Sequence, residues 1–342
     1  MDEKTYYLIY RREAETFFTN FLWVIGHLAI AEKRHYVPVV DFQNYPTKYS
    51  EADGVDGIRN AWEYYFEQPG GVDLEAIRDV DPGRIIDSKG FFRTPHIEDQ
   101  NFLPHEIAAG RERNTHHVER VRSLVQKFVR IKPHVTDKVA EFCKQYFDND
   151  TVLGVHVRGT DMTTEPWNYM FPIQQVVAEA EMLMNELGMT KIFICSDEAR
   201  TIELFKTHFG DHCLYTDCNR SMESKLPVLY DLQNGSVDAN RRHNRYCSGL
   251  EVLIDVLLLA RCQAFLASRS GVSNAAIYLS TAQKSVHYLP PTLFQKARGF
   301  AAYWGHFFAC DTRMFGDDFG RSDVRKFVRT MKDDWVDELW ND

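Results

Sequence analysis

Residues 151–161 read TVLGVHVRGTD, a short apolar run rich in Val that closes on a basic side chain and a polar turn. So brief a β-branched run, bounded by turn residues, predicts a buried strand. The sequence then repeats the theme. PIQQVVAEAEMLMNELGM (172–189) has helical apolar spacing and stops at Gly188, KIFICSD (191–197) is a second buried strand, EARTIELFKTHFG (198–210) is a second helix ending at Gly210, and HCLYTD (212–217) supplies a third strand. SGLEVLIDVLLLARCQAFLAS (248–268) reads as a long apolar helix leading into another strand, and SGVSNAAIYLS (270–280) as a turn opening a helix. Strands alternating with helices imply right-handed crossovers, so residues 151–300 are expected to form a doubly wound parallel sheet covered on both faces.

Upstream, TNFLWVIGHL (19–28) continues through AIAEKRHYVPVVDF (29–42) with helical spacing as far as His35, then turns β-rich from Tyr36 to Val40 before Asp41. This is a helix feeding a strand. NAWEYYFEQPGG (60–71) reads as a packed loop or short helix, and HVERVRSLVQKFVRI (117–131) and VTDKVAEFCKQYF (135–147) as two helices parted near Pro133. A chain of 342 residues exceeds the size at which one core keeps growing. The expectation is an α/β protein with an N-terminal Rossmann-like unit in residues 1–150, a nucleotide-binding unit in 151–300, and a helical tail in 301–342 packing back on the body.

The formal net charge of -9 argues against a general nucleic-acid binder but not against one phosphorylated ligand, which needs only a few positioned donors. The opening MDEKTYYLIYRREAETFF lacks a basic region followed by an apolar run, and no apolar stretch reaches membrane-spanning length. A cytoplasmic protein is expected, with peripheral membrane contact left open. Seven cysteines, several in apolar settings such as Cys195 and Cys262, read as reduced core thiols. The grouping His208, His212, Cys213 and Cys218 lacks paired ligand spacing, so no metal site is expected.

Ligands of parallel sheets bind beyond the carboxyl ends of the strands, and three polar clusters fall there. They are His156 to Asp161, then Ser196, Asp197 and Glu198, then Ser268 to Val272. Arg158 suits a diphosphate because its planar fork gives two parallel charge-assisted hydrogen bonds; its other reading is an ion pair with Asp161. Ser270 and the amides of Gly271 and Val272 open a helix, where unpaired N–H groups and the dipole favour an anion. His156 reads equally as a ligand donor or a satisfied structural residue. Asp197 and Glu198 can orient the Arg158 loop or cap the next helix. Asp255, an acid inside LIDVLLL, must face a polar cleft or find a partner. The segment Trp62 to Phe66 reads either as a sugar-lining surface or as an aromatic packing cluster.

With these residues in view, HVRGTD (156–161) resembles the HxRxxD motif shared by α1,2-, α1,6- and protein O-fucosyltransferases. CSDE (195–198) resembles their second motif, and the segment 248–276 their third, with the closest likeness to the α1,6 group over residues 151–279. The resemblance implies a GT-B fold, two Rossmann-like domains facing a cleft. It also implies an inverting, metal-independent transferase with no cofactor beyond a GDP-sugar donor, GDP-fucose, and a glycan, glycolipid or protein-linked acceptor. By match, Arg158 binds the β-phosphate, His156 and Asp255 contact the nucleoside, and Ser270 reaches the diphosphate; Asp255 would accept from the N1 and N2 donors of guanine. Asp161, Asp197, Ser268, Gly271 and Val272 complete the expected donor site. Glu165 is the expected base, because the α1,6 enzymes carry a Glu one residue later; its other reading is a solvated loop residue before Pro166.

The chain departs from the pattern at Gly159, where a second Arg is common, at Gly271, where Gln is common, and in lacking a glycine-rich first loop, with only Gly26 nearby. Other readings are a GT-B enzyme using another GDP-sugar, such as a deoxy-heptose or mannose, and a non-catalytic nucleotide- or glycan-binding module. A metal-dependent GT-A transferase is a further reading, since Asp79/Asp81 and Asp148/Asp150 form DxD pairs.

Overall fold

The run YYLIY forms strand β1 (Tyr6–Tyr10) at the centre of a three-stranded parallel sheet ordered β2-β1-β3, with β2 at Val37–Asp41 and β3 at Ile85–Asp87. This comes from a computed structural model, which describes residues 4–12, 16–89, 115–159, 171–221, 241–268, 270–281 and 285–289. Asp161, Glu165, Arg269 and the expected tail 301–342 lie outside the described residues. Sequence reading found β2 but not β1 or β3. Helix α1 (Phe17–Arg34) is the crossover from β1 to β2, and its buried side chains run almost all round it from Phe17 to Leu28. It ends at His35, whose left-handed backbone (φ 58°) lets its N–H reach the carbonyls of Ala31 and Glu32.

The expected helices at 117–131 and 135–147 appear as α2 (Thr115–Phe128) and α3 (Pro133–Tyr146). Pro133 starts α3 rather than merely separating the two, because proline at the first helical position forfeits an N–H that has no partner anyway. Asn60 caps a single 3₁₀ turn at Ala61–Tyr64, the short helix foreseen in NAWEYYF.

The second sheet has five parallel strands: β4 (Val152–Val157), β5 (Lys191–Ser196), β6 (Cys213–Leu214), β7 (Ala264–Leu266) and β8 (Ser285–His287). Between them run α4 (Ile173–Leu187), α5 (Ala199–Phe209), α6 (Asn244–Leu259) and α7 (Gly271–Leu279). The strand order β6-β5-β4-β7-β8 is that of a doubly wound sheet. The chain winds outward from β4 to β6 and then crosses back to β7, so β4 and β7 flank the topological switch point. Leu153, Val155, Ile192 and Ile194 meet α4 and α5 in one core on one face. On the other face, α2, α3, α6 and α7 join α1 in a second core that reaches into the N-terminal sheet. Phe142 and Phe147 from the α3 region pack on Phe193 of β5 at 5.8 and 5.9 Å. Residues ahead of 150 thus help to cover the second sheet.

The two sheets meet by their carboxyl edges. Helix α1 begins just beyond the end of β1, α7 begins just beyond the end of β7, and a side chain added at Gly271 would lie 3.5 Å from Phe18 Cβ and 3.7 Å from the Thr19 nitrogen. Tyr65 Oη donates to the Tyr246 carbonyl at 2.9 Å, a further tie between the halves.

Candidate functional site

At the switch point β4 delivers His156 inside the sheet and Arg158 just past its end, and β5 delivers Asp197 beside them. Asp197 accepts from Arg158 Nη1 at 2.7 Å through Oδ2 and from the Gly159 N–H at 2.9 Å through Oδ1. Both side chains are partly buried. Asp197 therefore holds the guanidinium and the backbone that follows it, the orienting role considered for it, and Arg158 has Asp197 as an ion-pair partner. Glu198 sits at the N-cap of α5 without a side-chain capping bond, and its carboxylate accepts from Thr201 Oγ1 at 3.1 Å. A Cβ on Gly159 would fall 2.5 Å from Glu198 Cδ. A side chain at this position would therefore have to displace that of Glu198.

Across the switch point, Ser270 caps α7: its Oγ accepts the Ser273 N–H at 3.2 Å. Gly271 and Val272 follow as the first helical residues, so their amides stand at the helix start. His156 is 5% exposed, and three hydroxyls surround its Nδ1: Ser268 at 2.6 Å, Ser273 at 2.8 Å and Ser270 at 3.2 Å. Burial, aided by the Arg158 charge, lowers the His156 pKa to about 3, so the ring is neutral. Sequence reading singled out Ser268 and Ser270 but missed Ser273. Its signal was the Ser-x-x-Ser spacing across the cap.

Asp255 is 4% exposed on α6 and is met by the loop after β6. Thr216 Oγ1 donates to its Oδ1 at 2.5 Å, and Cys218 Sγ lies 3.9 Å from its Oδ2. Burial pushes its pKa up, against the opposing pull of Arg220 and the Thr216 hydrogen bond. Arg220 ties that loop to the end of β5 by donating to the carbonyls of Ser196, Cys218 and Thr216. Neither Thr216 nor Arg220 stood out in the sequence, since isolated Thr and Arg in a loop carry no pattern.

Trp62, Tyr64, Tyr65 and Phe66 are all buried, which fits the packing-cluster reading. They leave beside α1 a small pocket lined by Phe17, Tyr49, Trp62 and Phe66 among others. One aspartate of each DxD pair does local structural work: Asp81 caps the turn at Pro82–Arg84, and Asp150 accepts from Thr190 Oγ1 at 2.8 Å. His208 pairs with Glu181, while His212 bonds the Thr190 carbonyl. Among the described residues no group of three His, Cys, Asp or Glu could hold a metal ion, and no helix is long and apolar enough to cross a membrane.

The arrangement is that of an α/β protein of GT-B type, two parallel sheets that approach each other by their carboxyl edges. No family model and no curated protein matches the sequence. Solved structures do match the fold. NodZ α1,6-fucosyltransferase soaked with GDP-fucose superposes with a TM-score of 0.50 at 16% identity, over 81% of this chain and 93% of that one. Fucosyltransferase NodZ from Bradyrhizobium gives 0.49 at 15% identity, over 83% and 95%. POFUT1 in complex with GDP-fucose gives 0.46 at 11%, over 85% and 99%. The chain has a fucosyltransferase-like GT-B fold.

Proposed function

We propose that the protein is a glycosyltransferase that moves a fucosyl residue from GDP-fucose to a hydroxyl of a glycan, glycolipid or protein-linked acceptor, with inversion and without a metal ion. The observation that carries this reading is the switch-point geometry, with Arg158 held by Asp197 on one side and the Ser270-capped start of α7 on the other. A diphosphate placed between them meets a guanidinium fork and the positive end of a helix, which together balance its charge.

In the reaction proposed, the acceptor oxygen bonds to the anomeric carbon as the bond from that carbon to the β-phosphate oxygen breaks, its electron pair leaving with GDP. The acceptor proton passes to Glu165, on the face opposite the diphosphate. Arg158 takes up the charge that builds on the leaving group. His156, Asp161, Asp197, Asp255, Ser268, Ser270, Gly271 and Val272 form or support the donor site, and the N-terminal sheet carries the acceptor side. Unpaired thiols at the six described cysteines suit a reducing, cytoplasmic setting.

Thermal-shift measurements with GDP, UDP, ADP and CMP, repeated in EDTA, test the reading without the acceptor. GDP at about 100 times its dissociation constant should stabilise the fold by about 2.7 kcal/mol. Equal shifts with all four nucleotides would sink it.

A further inference from the structure

The three hydroxyls around His156 decide which ring nitrogen bears the proton. Ser270 Oγ already accepts the Ser273 N–H, so its own proton must point elsewhere, and Nδ1 lies 3.2 Å away. Ser268 and Ser270 each stand 3.5 Å from Ser273 Oγ, whereas Nδ1 is 2.6 Å from Ser268 and 2.8 Å from Ser273. The ring nitrogen is the nearest acceptor to Ser268 and Ser273, and its single lone pair takes a proton from one of them. A proton on Nδ1 would set one N–H against three oxygens and strand the hydroxyl protons around Ser273, which is wholly buried. A bare Nδ1 accepts instead. The proton of the neutral ring then sits on Nε2, which has no hydrogen-bond partner among the described residues and is not one of the sealed, unpartnered buried atoms.

We infer that Ser268, Ser270 and Ser273 form a hydroxyl cage that fixes His156 as its Nε2–H tautomer, making it a neutral donor to an acceptor oxygen of the nucleoside diphosphate, with Ser273 as a positioning residue. The ligand half rests on the proposed GDP-sugar reading; the tautomer half does not. Two cations side by side would repel, so a neutral ring lets Arg158 keep its charge while His156 still donates. Because Ser273 belongs to α7 and His156 to β4, the cage also sets the ring against the helix start that would receive the phosphate.

The experiment is ¹⁵N NMR of the imidazoles in the full chain, with the His156 signals assigned by their loss in His156→Gln. The two tautomers differ in which ring nitrogen shows the protonated shift. Wild type should show Nε2–H alone, before any ligand is added. Ser268→Ala/Ser273→Ala should give a mixture of tautomers and weaken GDP binding by about fivefold, the size of one neutral hydrogen bond. His156→Gln places an amide N–H near the Nε2 position and should bind GDP more tightly than His156→Ala. An Nδ1–H tautomer in wild type would overturn the inference, as would a double variant unchanged in both tautomer and GDP affinity. Failure of wild type to bind GDP would refute the GDP-sugar reading and the ligand half, while the tautomer result would still stand or fall by itself.

Discussion

Asp197 offers the sharpest test of how the site is built, because one carboxylate secures both the Arg158 side chain and the Gly159 backbone. The two bonds measure 2.7 and 2.9 Å, and the Arg158 and Asp197 side chains are 23% and 20% exposed, so water reaches the pair but does not replace it. Hydrogen bonds to charged groups contribute about 1.5–3 kcal/mol each, and allowing for water that takes up part of the lost bonding, Asp197→Ala should cost about 2–4 kcal/mol. Asp197→Asn keeps an acceptor for the Gly159 N–H and loses only the charge, so about 1–2 kcal/mol is expected. Urea unfolding followed by fluorescence gives both values, provided the slope against urea stays constant. GDP-fucose turnover separates stability from function. The Asn variant should turn over at least about tenfold slower with GDP affinity within about threefold, since removing a negative charge near the proposed diphosphate position offsets the looser fork. An Ala variant within about 0.5 kcal/mol of wild type and unimpaired in turnover would refute the orienting role.

Arg158→Ala should abolish turnover while circular dichroism shows a folded chain, and Arg158→Lys should restore little, because a point charge lacks the fork; near-normal turnover in the Ala variant would reject the diphosphate role. Gly159→Ala should cost about 1–2 kcal/mol by urea unfolding because its Cβ would meet Glu198 Cγ at 2.6 Å, and adding Glu198→Ala should recover most of it; additive costs would show that Glu198 is not the obstacle. Stability should fall on acidification. His156 and His27 have pKa values lowered to about 3 and about 4, so below the unfolded value of 6.5 the unfolded chain binds protons that the fold refuses. The loss begins near pH 6.5 and reaches about 2 kcal/mol for each histidine at pH 5. His27→Gln should lessen the slope of unfolding free energy against pH over pH 5–6.5, and an unchanged slope would contradict the lowered value.

The second sheet was legible because its strands are buried on both faces, so TVLGVHVR and KIFICSD stand out as apolar runs, and helix ends carry Gly188 and Gly210. Strand β8 escaped because SVH is three partly buried residues with no apolar run. Strand β1 was hidden for another reason. YYLIY is only five residues long and three of them are tyrosines, which blurs the alternation of apolar and polar, yet its alternate residues Tyr7 and Ile9 are buried, the period of a strand. The site was legible where it follows strand ends, which is why Arg158, Asp197 and Ser270 fall together. What joins them was not, because pairing between residues 39 positions apart, as for Arg158 and Asp197, is a property of the sheet register that places Val157 opposite Ser196.

Asp255 shows how a correct local inference can leave the role open. An acid in an apolar helix was expected either to face a cleft or to find a partner, and the fold provides partners in Thr216 and Cys218. Those partners belong to a loop that Arg220 fastens to the Ser196 carbonyl, one residue before the carboxylate that holds Arg158. The carboxylate of Asp255 thus braces the loop that Arg220 ties to the end of β5. Each carboxylate oxygen can accept more than one hydrogen bond, so bracing does not exhaust it. With Asp255 only 4% exposed, however, a guanine edge would have to take the place of neighbours that include the segment from Thr216 to Cys218. A nucleoside that displaced that segment would also pull on Arg220 and the end of β5, so base recognition at Asp255 and the setting of Arg158 by Asp197 would be coupled through one loop.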